Sequence, residues 1–335
     1  MPTALITGAA GQDGLHLARY LKSLGYRVVG VVQYGSAPER ERICRFVGDV
    51  DVVTGDLTDF ASLVRAIQYA QPDEIYNLGG ISSVRLAWEQ PIRAVEVNGV
   101  GLVNLLEALR AATGSPTGRA RVFQASSAQM FGDIEGEWFT EETPIRPNNL
   151  YGTAKAYAHF AADAYRRRYG LFVSCGILGN HESALHDDEF VVRKITRGVS
   201  RIAMGETQLL TLDNLDATRD WGYAGDFVVA MHAALQLDRP EDFVIATGEL
   251  RSVGEVAAVA FAAAGITDWR WHVRTINGVT GQIRRGAKGD SRKAHELLGW
   301  VPQVGFEELV GAMVKSDLDA ARRTGPAEQR RRVDR

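Results

Sequence analysis

The chain has 335 residues, 45% hydrophobic and 24% charged, with a net charge of −3, the make-up of a folded globular chain long enough for two unequal lobes. That balance offers no basic field to nucleic acid, and no window approaches the roughly 18 uninterrupted apolar residues of a membrane helix, so neither nucleic acid nor membrane is an expected partner. Two cysteines, Cys44 and Cys175, are too few for a disulfide framework; both are expected as buried thiols in a reducing, cytoplasmic compartment, with no targeting segment at the N-terminus.

Residues 3–7 (TALIT) read as a strand, followed by a glycine turn through Gly14, a helix to about Gly25 and a second strand over 26–32. Such a βαβ unit demands a parallel sheet covered by helices on both faces. The alternation continues with a strand at 51–55, a helix near 59–70, a strand at 73–78, a helix near 92–112, a strand at 121–126, a helix over 151–169 and a strand at 171–178. The fold class is therefore α/β, a Rossmann-type doubly wound parallel sheet. Beyond it the regularity fades: 180–220 reads as loop-rich with one helix near 190–204, 243–248 as a strand, and 252–265 has helical periodicity. The expected organisation is a Rossmann domain over 1–178, completed by 220–248, with a smaller, irregular α/β C-terminal substrate lobe over 179–219 and 249–321. The arginine-rich segment 322–335 reads as a flexible basic tail.

Thr7-Gly8-Ala9-Ala10-Gly11-Gln12-Asp13-Gly14 joins the first strand to the first helix, where backbone must approach a pyrophosphate and the helix N-terminus stabilises it. Gly8, Gly11, Gln12, Asp13 and Gly14 are accordingly candidate cofactor residues. Gly55-Asp56-Leu57 closes the third strand. There Asp56 can accept from an adenine amino group while Leu57 packs on the ring; the alternative is a helix cap for the segment starting near Asp59. After the second strand stand Gln33 and Tyr34, where an acid would bind the ribose 2′-hydroxyl of NAD and an arginine the 2′-phosphate of NADP. With neither present, both cofactors stay open and discrimination between them is expected to be modest, Arg40 and Arg42 being the downstream candidates for a phosphate.

Tyr151 and Lys155 lie four apart at the start of a helix, one turn along the same face. A lysine ammonium beside the phenol is expected to lower its pKa, so that Tyr151 takes the proton from a substrate hydroxyl as hydride leaves the carbon. Lys155 can also hold the nicotinamide ribose, and Ser127, just past the fifth strand, would donate to the same substrate oxygen. A bare Tyr-x-x-x-Lys is common in helices; its place after a glycine turn and five strands makes it specific.

With these residues the chain resembles the GDP-mannose 4,6-dehydratases, a family of extended short-chain dehydrogenases, over nearly its full length. The stretches that carry the resemblance are ALITGAAGQDG (4–14), QPDEIYNL (71–78), QASSAQMFG (124–132), YGTAK (151–155), GILGNHES (176–183), FVVRKITR (190–197), NLDATRDWG (214–222) and FVIATGE (243–249). The resemblance implies a nucleotide-sugar substrate, a GDP-hexose before others, held between the lobes by Asn180, Arg193, Lys194 and Arg219, cations suiting a diphosphate. It also implies a tightly bound NADP or NAD recycled within the reaction, no metal, and a homodimer or homotetramer.

The departures from the family are specific. Its Ser-Thr-Ser-Glu after the fifth strand, whose Glu removes the C5 proton during dehydration, is here Ser126-Ser127-Ala128-Gln129; Ser127 can replace the threonine, but an amide is no general base at neutral pH. Its Arg-Pro-x-Glu is Thr280-Gly281-Gln282-Ile283 with Arg284 and Arg285 adjacent, its Arg-Arg-Ser-Ser is Gln33-Tyr34-Gly35-Ser36, and its Ala-Ala-Gln-Ser-His is Gly79-Gly80-Ile81-Ser82-Ser83. Oxidation at C4 needs only Ser127, Tyr151 and Lys155, whereas loss of water from C6 needs a base at C5 as well. Three functions are consistent with this: a dehydratase with Gln129 displaced or another base in its place, an epimerase or 4-keto reductase that needs no such base, and a nucleotide-binding protein without turnover. Fold alone separates none of them.

Overall fold

The structure is a computed structural model that describes residues 1–115, 119–134, 137–276 and 286–333, with 324–333 in backbone alone. In chain order the first half comprises β1 (Thr3–Thr7), α1 (Gln12–Ser23), β2 (Arg27–Val32), α2 (Ala37–Val47), β3 (Asp51–Thr54), α3 (Phe60–Ala70), β4 (Glu74–Asn77), α4 (Val84–Glu89), α5 (Pro91–Val95), α6 (Gly101–Thr113), β5 (Arg121–Ser127), β6 (Trp138–Phe139), α7 (Leu150–Tyr169) and β7 (Val173–Leu178). The second comprises β8 (Asn180–Glu182), α8 (Val191–Ala203), β9 (Leu210–Leu212), β10 (Thr218–Tyr223), α9 (Ala224–Ala234), β11 (Asp242–Ile245), β12 (Leu250–Ser252), α10 (Val253–Ala263), β13 (Val273–Thr275), β14 (Lys288–Gly289), α11 (Arg292–Leu298) and α12 (Phe306–Val333).

Seven strands form one parallel sheet in the order β11-β7-β5-β4-β1-β2-β3. Every residue of β1, β4 and β7 is buried, because crossover helices cover both faces, and two apolar cores result. One packs α1 and α9 through Leu15, Leu17, Phe227 and Met231. The other packs α3 and α6 through Leu63, Ile67, Leu105 and Leu109. The chain reverses direction across the sheet between β1 and β4, and in doubly wound folds the crevice beyond the carboxyl ends of the strands at such a switch is where ligands bind. A buried polar ladder spans that point: Thr7 Oγ1 donates to Asn77 Oδ1 at 2.7 Å, and Asn77 Nδ2 donates to Gln124 Oε1 at 2.7 Å.

The second half builds a smaller core in which α8, α10 and α12 pack around Ile195, Val199, Trp221, Phe261 and Val310. The expected loop-rich stretch 180–220 contains three short strands besides its helix. β8 and β10 pair in parallel and β10 and β12 antiparallel, satisfying backbone groups that a loop of that length would leave buried. Asp220 locks this region to the main sheet. Its carboxylate accepts from Thr247 N at 2.9 Å, Gly248 N at 2.8 Å and Gly289 N at 3.2 Å, and burial pushes its pKa up although those bonds oppose the rise.

Three expectations need correction. The single helix near 92–112 is interrupted by a π turn at Glu96–Val100, which admits the buried Asn98 side chain toward the 79–83 loop. α2 was not anticipated between the second and third strands. Cys44 is exposed on α2, where Ile43 is the side chain turned into the core, while Cys175 is buried as expected. The backbone of α12 continues through Val333, into the arginine-rich segment, although that stretch contains Gly325 and Pro326, the two residue types least suited to a helix interior.

Candidate active site

A cavity of about 910 Å³ opens at the carboxyl ends of the strands, lined among others by Gly8, Gly55, Ser127, Tyr151, Asn180 and Arg219. Its floor is the β1–α1 turn. Gly8 takes φ +66°, and a side chain there would lie 2.8 Å from the Gly79 backbone; one at Gly14 would lie 2.4 Å from the Gly8 carbonyl oxygen. The glycines thus let α1 start directly against the strand ends, with its first-turn N–H groups at the cavity floor. Gly11 takes the N-cap position in extended conformation.

The turn is clamped by the segment that follows β7. Gln12 Nε2 donates to His181 O at 3.0 Å, Ser183 Oγ donates to Gln12 Oε1 at 2.8 Å, and His181 Nε2 lies 2.9 Å from Asp13 Oδ2. Burial by itself lowers the His181 pKa, but the charge and hydrogen bond of Asp13 outweigh it and bring it to about 9; Asp13 in turn is pulled below its usual value against its own burial, chiefly by His181. The cavity is therefore lined by an imidazolium at neutral pH. His181 and Asp13 belong to stretches noticed in the sequence, yet their pairing was not legible there, and neither was the bond from His186 Nδ1 to Glu182 at 2.5 Å beside it.

On the strand side, Asp56 accepts from Thr58 N and Oγ1 at 2.8 and 2.7 Å and from Gln33 Nε2 at 2.8 Å. The cap of α3 is Asp59, whose side chain accepts from Ser62 N, so Asp56 is free of that duty and lines the cavity with Leu57. Arg40 faces away, donating to Val52 O and Thr54 Oγ1 at 3.1 Å each. Gly79 and Gly80 suit a tight loop: a side chain at Gly80 would meet Asn98 Oδ1 at 2.6 Å, the atom that accepts from Ile81 N at 2.8 Å.

The three residues expected to react, Ser127, Tyr151 and Lys155, stand at the end of β5 and the start of α7. Ser127 is the last residue of β5, and its Oγ accepts from Gln129 N at 3.2 Å. Asn149 caps α7 by accepting from Gly152 N at 2.8 Å, and its Nδ2 donates to Gln129 Oε1 at 3.2 Å. Lys155 Nζ donates to Ala125 O at 2.8 Å and lies 5.8 Å from the centre of the Tyr151 ring. Contrary to the expectation of a lowered phenol, burial pushes Tyr151 up to about 12, with a hydrogen bond from Ser127 working against the rise; burial likewise brings Lys155 down to about 8. The lysine spends its charge on a carbonyl, and desolvation wins at the tyrosine.

The four expected substrate contacts separate. Asn180 and Arg219 line the cavity; Arg219 follows from strand alternation, since its neighbour Asp220 is turned into the interior. Arg193 is buried, and its Nη1 contacts both oxygens of Asp317 at 2.5 Å, joining α8 to α12. Lys194, next along α8, is exposed, and neither residue lines the cavity. α8 turns its apolar face to α10 and α12, which carries Arg193 inward with it. Asp317→Ala should strand that cation and cost about 3–5 kcal/mol of stability, read by urea unfolding, whereas replacing both partners by leucine should cost much less; equal losses in the two would disprove the pairing argument. Thr280, Gly281, Gln282, Ile283, Arg284 and Arg285 lie outside the described residues. Among the described residues no cluster of His, Cys, Asp and Glu could hold a metal ion, and no helix is long and apolar enough to cross a membrane.

The family model for GDP-mannose 4,6-dehydratase matches residues 5–313. GDP-mannose 4,6 dehydratase 2 of Arabidopsis thaliana is 41% identical over 333 residues, spanning 96% of this chain and 88% of that protein. Among solved structures, the UDP-glucose 4-epimerase of Thermus thermophilus in complex with NAD superposes with a TM-score of 0.82 at 26% identity, covering 95% of this chain and all of the other. The dTDP-glucose 4,6-dehydratase DesIV of Streptomyces venezuelae, solved with NAD, gives 0.83 at 25% identity, covering 97% and 99%. A match over most of the sequence, joined to the same doubly wound sheet, makes the conclusion direct: the chain belongs to the GDP-mannose 4,6-dehydratase family.

Proposed function

We propose that the chain is a nicotinamide-dependent nucleotide-sugar enzyme that oxidises C4 of the hexose, as the opening step of a 4,6-dehydratase reaction. One observation carries this reading: a single cavity holds the glycine turn at one end and Ser127, Tyr151 and Lys155 at the other. The turn fits a dinucleotide, because Gly8 and Gly14 keep free the space a side chain would fill and leave helix N–H groups for a diphosphate, with Gly11, Gln12, Asp13, Asp56 and Leu57 around it. When bound, the oxidised nicotinamide supplies the hydride acceptor and a positive charge near the phenol. Tyr151 takes the proton from the C4 hydroxyl, Ser127 donates to the same oxygen, and Lys155 holds the ribose. Arg219 and Asn180 bind the sugar nucleotide, a GDP-hexose in keeping with the family, across residues 179–219 and 249–321, opposite a cofactor domain of 1–178 and 220–248.

Trp88 on α4, Ile92 on α5, and Tyr157 and Phe160 on α7 are large exposed apolar side chains on adjoining helices, which supports assembly as a homodimer or homotetramer. A second reading, epimerase or 4-keto reductase, is favoured by Gln129, an amide where dehydration needs a base. The test is to incubate the protein with a panel of nucleotide sugars and identify products by mass and NMR. Loss of one water supports the dehydratase, a C4 epimer or reduced 4-keto sugar supports the second reading, and no conversion of any sugar overturns C4 oxidation altogether.

A further inference from the structure

Along the sequence no acid follows the second strand directly, which predicts weak discrimination between the two nicotinamide dinucleotides. The fold supplies one. After Val32 the chain turns back through Gly35 at φ +73° and enters α2, whose first turn carries Glu39. The Glu39 carboxylate accepts a hydrogen bond from Gln33 N at 3.2 Å, so it lies over the end of β2, and it lines the same cavity as Gly8, Gly11, Val31 and Val32. In doubly wound dinucleotide folds the ribose nearest the adenine is read at the end of the second strand, by an acid when its 2′-hydroxyl is free and by a cation when it carries phosphate. A carboxylate offers about four acceptor sites, so the bond to Gln33 leaves capacity for ribose hydroxyls.

The cations nearby are committed elsewhere. Arg40 bonds the β3 backbone and Thr54. Arg42 donates to Leu185 O and lies 3.5 Å from Asp187, so turning it to a phosphate would break its tie to the 185–187 segment. Arg93 lies 3.9 Å from Asp56. A 2′-phosphate in this corner would face two carboxylates, Glu39 and Asp56, with the neighbouring guanidinium groups already paired.

We propose that Glu39 is the residue that reads the ribose, accepting from its free 2′-hydroxyl and repelling a 2′-phosphate, so that this chain selects NAD over NADP. The inference rests on the dinucleotide reading of the cavity. The test is equilibrium titration of the full chain with NAD and with NADP, in the wild type and in Glu39→Gln, which keeps an acceptor for Gln33 N and thereby the start of α2; matching melting curves verify that. The expected result is a wild-type preference for NAD of about 30-fold or more, falling to within about threefold in Glu39→Gln, with most of the change in NADP affinity. A purely structural role would weaken both dinucleotides together and leave their ratio in place. Equal wild-type affinities, or a ratio unchanged in Glu39→Gln, overturn the assignment of Glu39; binding of neither dinucleotide overturns the cofactor reading beneath it.

Discussion

Tyr151→Phe is expected to lower turnover of the hexose substrate by about 10²–10⁴-fold while changing dinucleotide affinity by less than about threefold. The phenyl ring keeps its place on α7 beside Lys155 and Ser127, and only the phenol oxygen proposed to accept the C4 proton is lost. The wild-type pH profile should carry the same signature. Because burial holds the phenol near 12, the reactive base form is scarce at neutral pH and the rate should climb as pH rises. Lys155, held near 8 by burial, loses its charge through the same range, so the climb should bend there as the ribose contact weakens. Tyr151→Phe should lose the pH-dependent climb along with the rate. Turnover within several-fold of wild type would remove Tyr151 from proton transfer, and a parallel loss of dinucleotide binding would assign it to packing.

Gln129→Glu is expected to create or raise loss of water from the nucleotide sugar by about 10²-fold or more, since a carboxylate beside a 4-keto sugar takes a proton that an amide cannot. The geometry favours the change. Gln129 stands in the 3-10 turn Ala128–Phe131, its main-chain N–H donating to Ser127 Oγ and its side-chain oxygen accepting from Asn149 Nδ2; a carboxylate of nearly the same shape leaves the main-chain bond untouched and keeps the acceptor for Asn149. Desolvation in the cavity raises a carboxyl pKa, so the variant should work best at a higher pH than a solvated base would need. Solvent deuterium separates the two readings of the wild type: a dehydratase with another base incorporates it at C5, an epimerase or reductase does not. If the wild type already loses water as fast as Gln129→Glu, position 129 does not control the chemistry.

What was legible in the sequence was local. The β1–α1 turn declares itself because glycine is needed wherever backbone must pass within a side chain's reach, and Gly8 and Gly14 do so within one turn of each other. Ser127, Tyr151 and Lys155 were legible because strand end and helix start are set by neighbours, and four residues along a helix return to the same face. The alternation of apolar runs with amphipathic stretches dictated the doubly wound sheet, and with it the place of the cavity at the strand ends. Tertiary structure decided everything that joins distant segments. Asp13 meets His181 across 168 residues, a pairing that depends on where β8 lies against α1 and that raises the histidine's pKa against the effect of its burial. Arg193 and Lys194 carry equal charge and adjacent numbers, yet α8 turns one to Asp317 and the other to solvent, because its apolar face must be covered by α10 and α12. The Tyr151 phenol rises where a nearby lysine suggested it would fall, since desolvation is a property of the packed site and composition does not contain it. Glu39 comes to the end of β2 only when the chain folds back through Gly35. Residue types and short spacings set which chemistry is available; which side chains share one desolvated volume is set by packing, and only there do charge, burial and distance combine into a site.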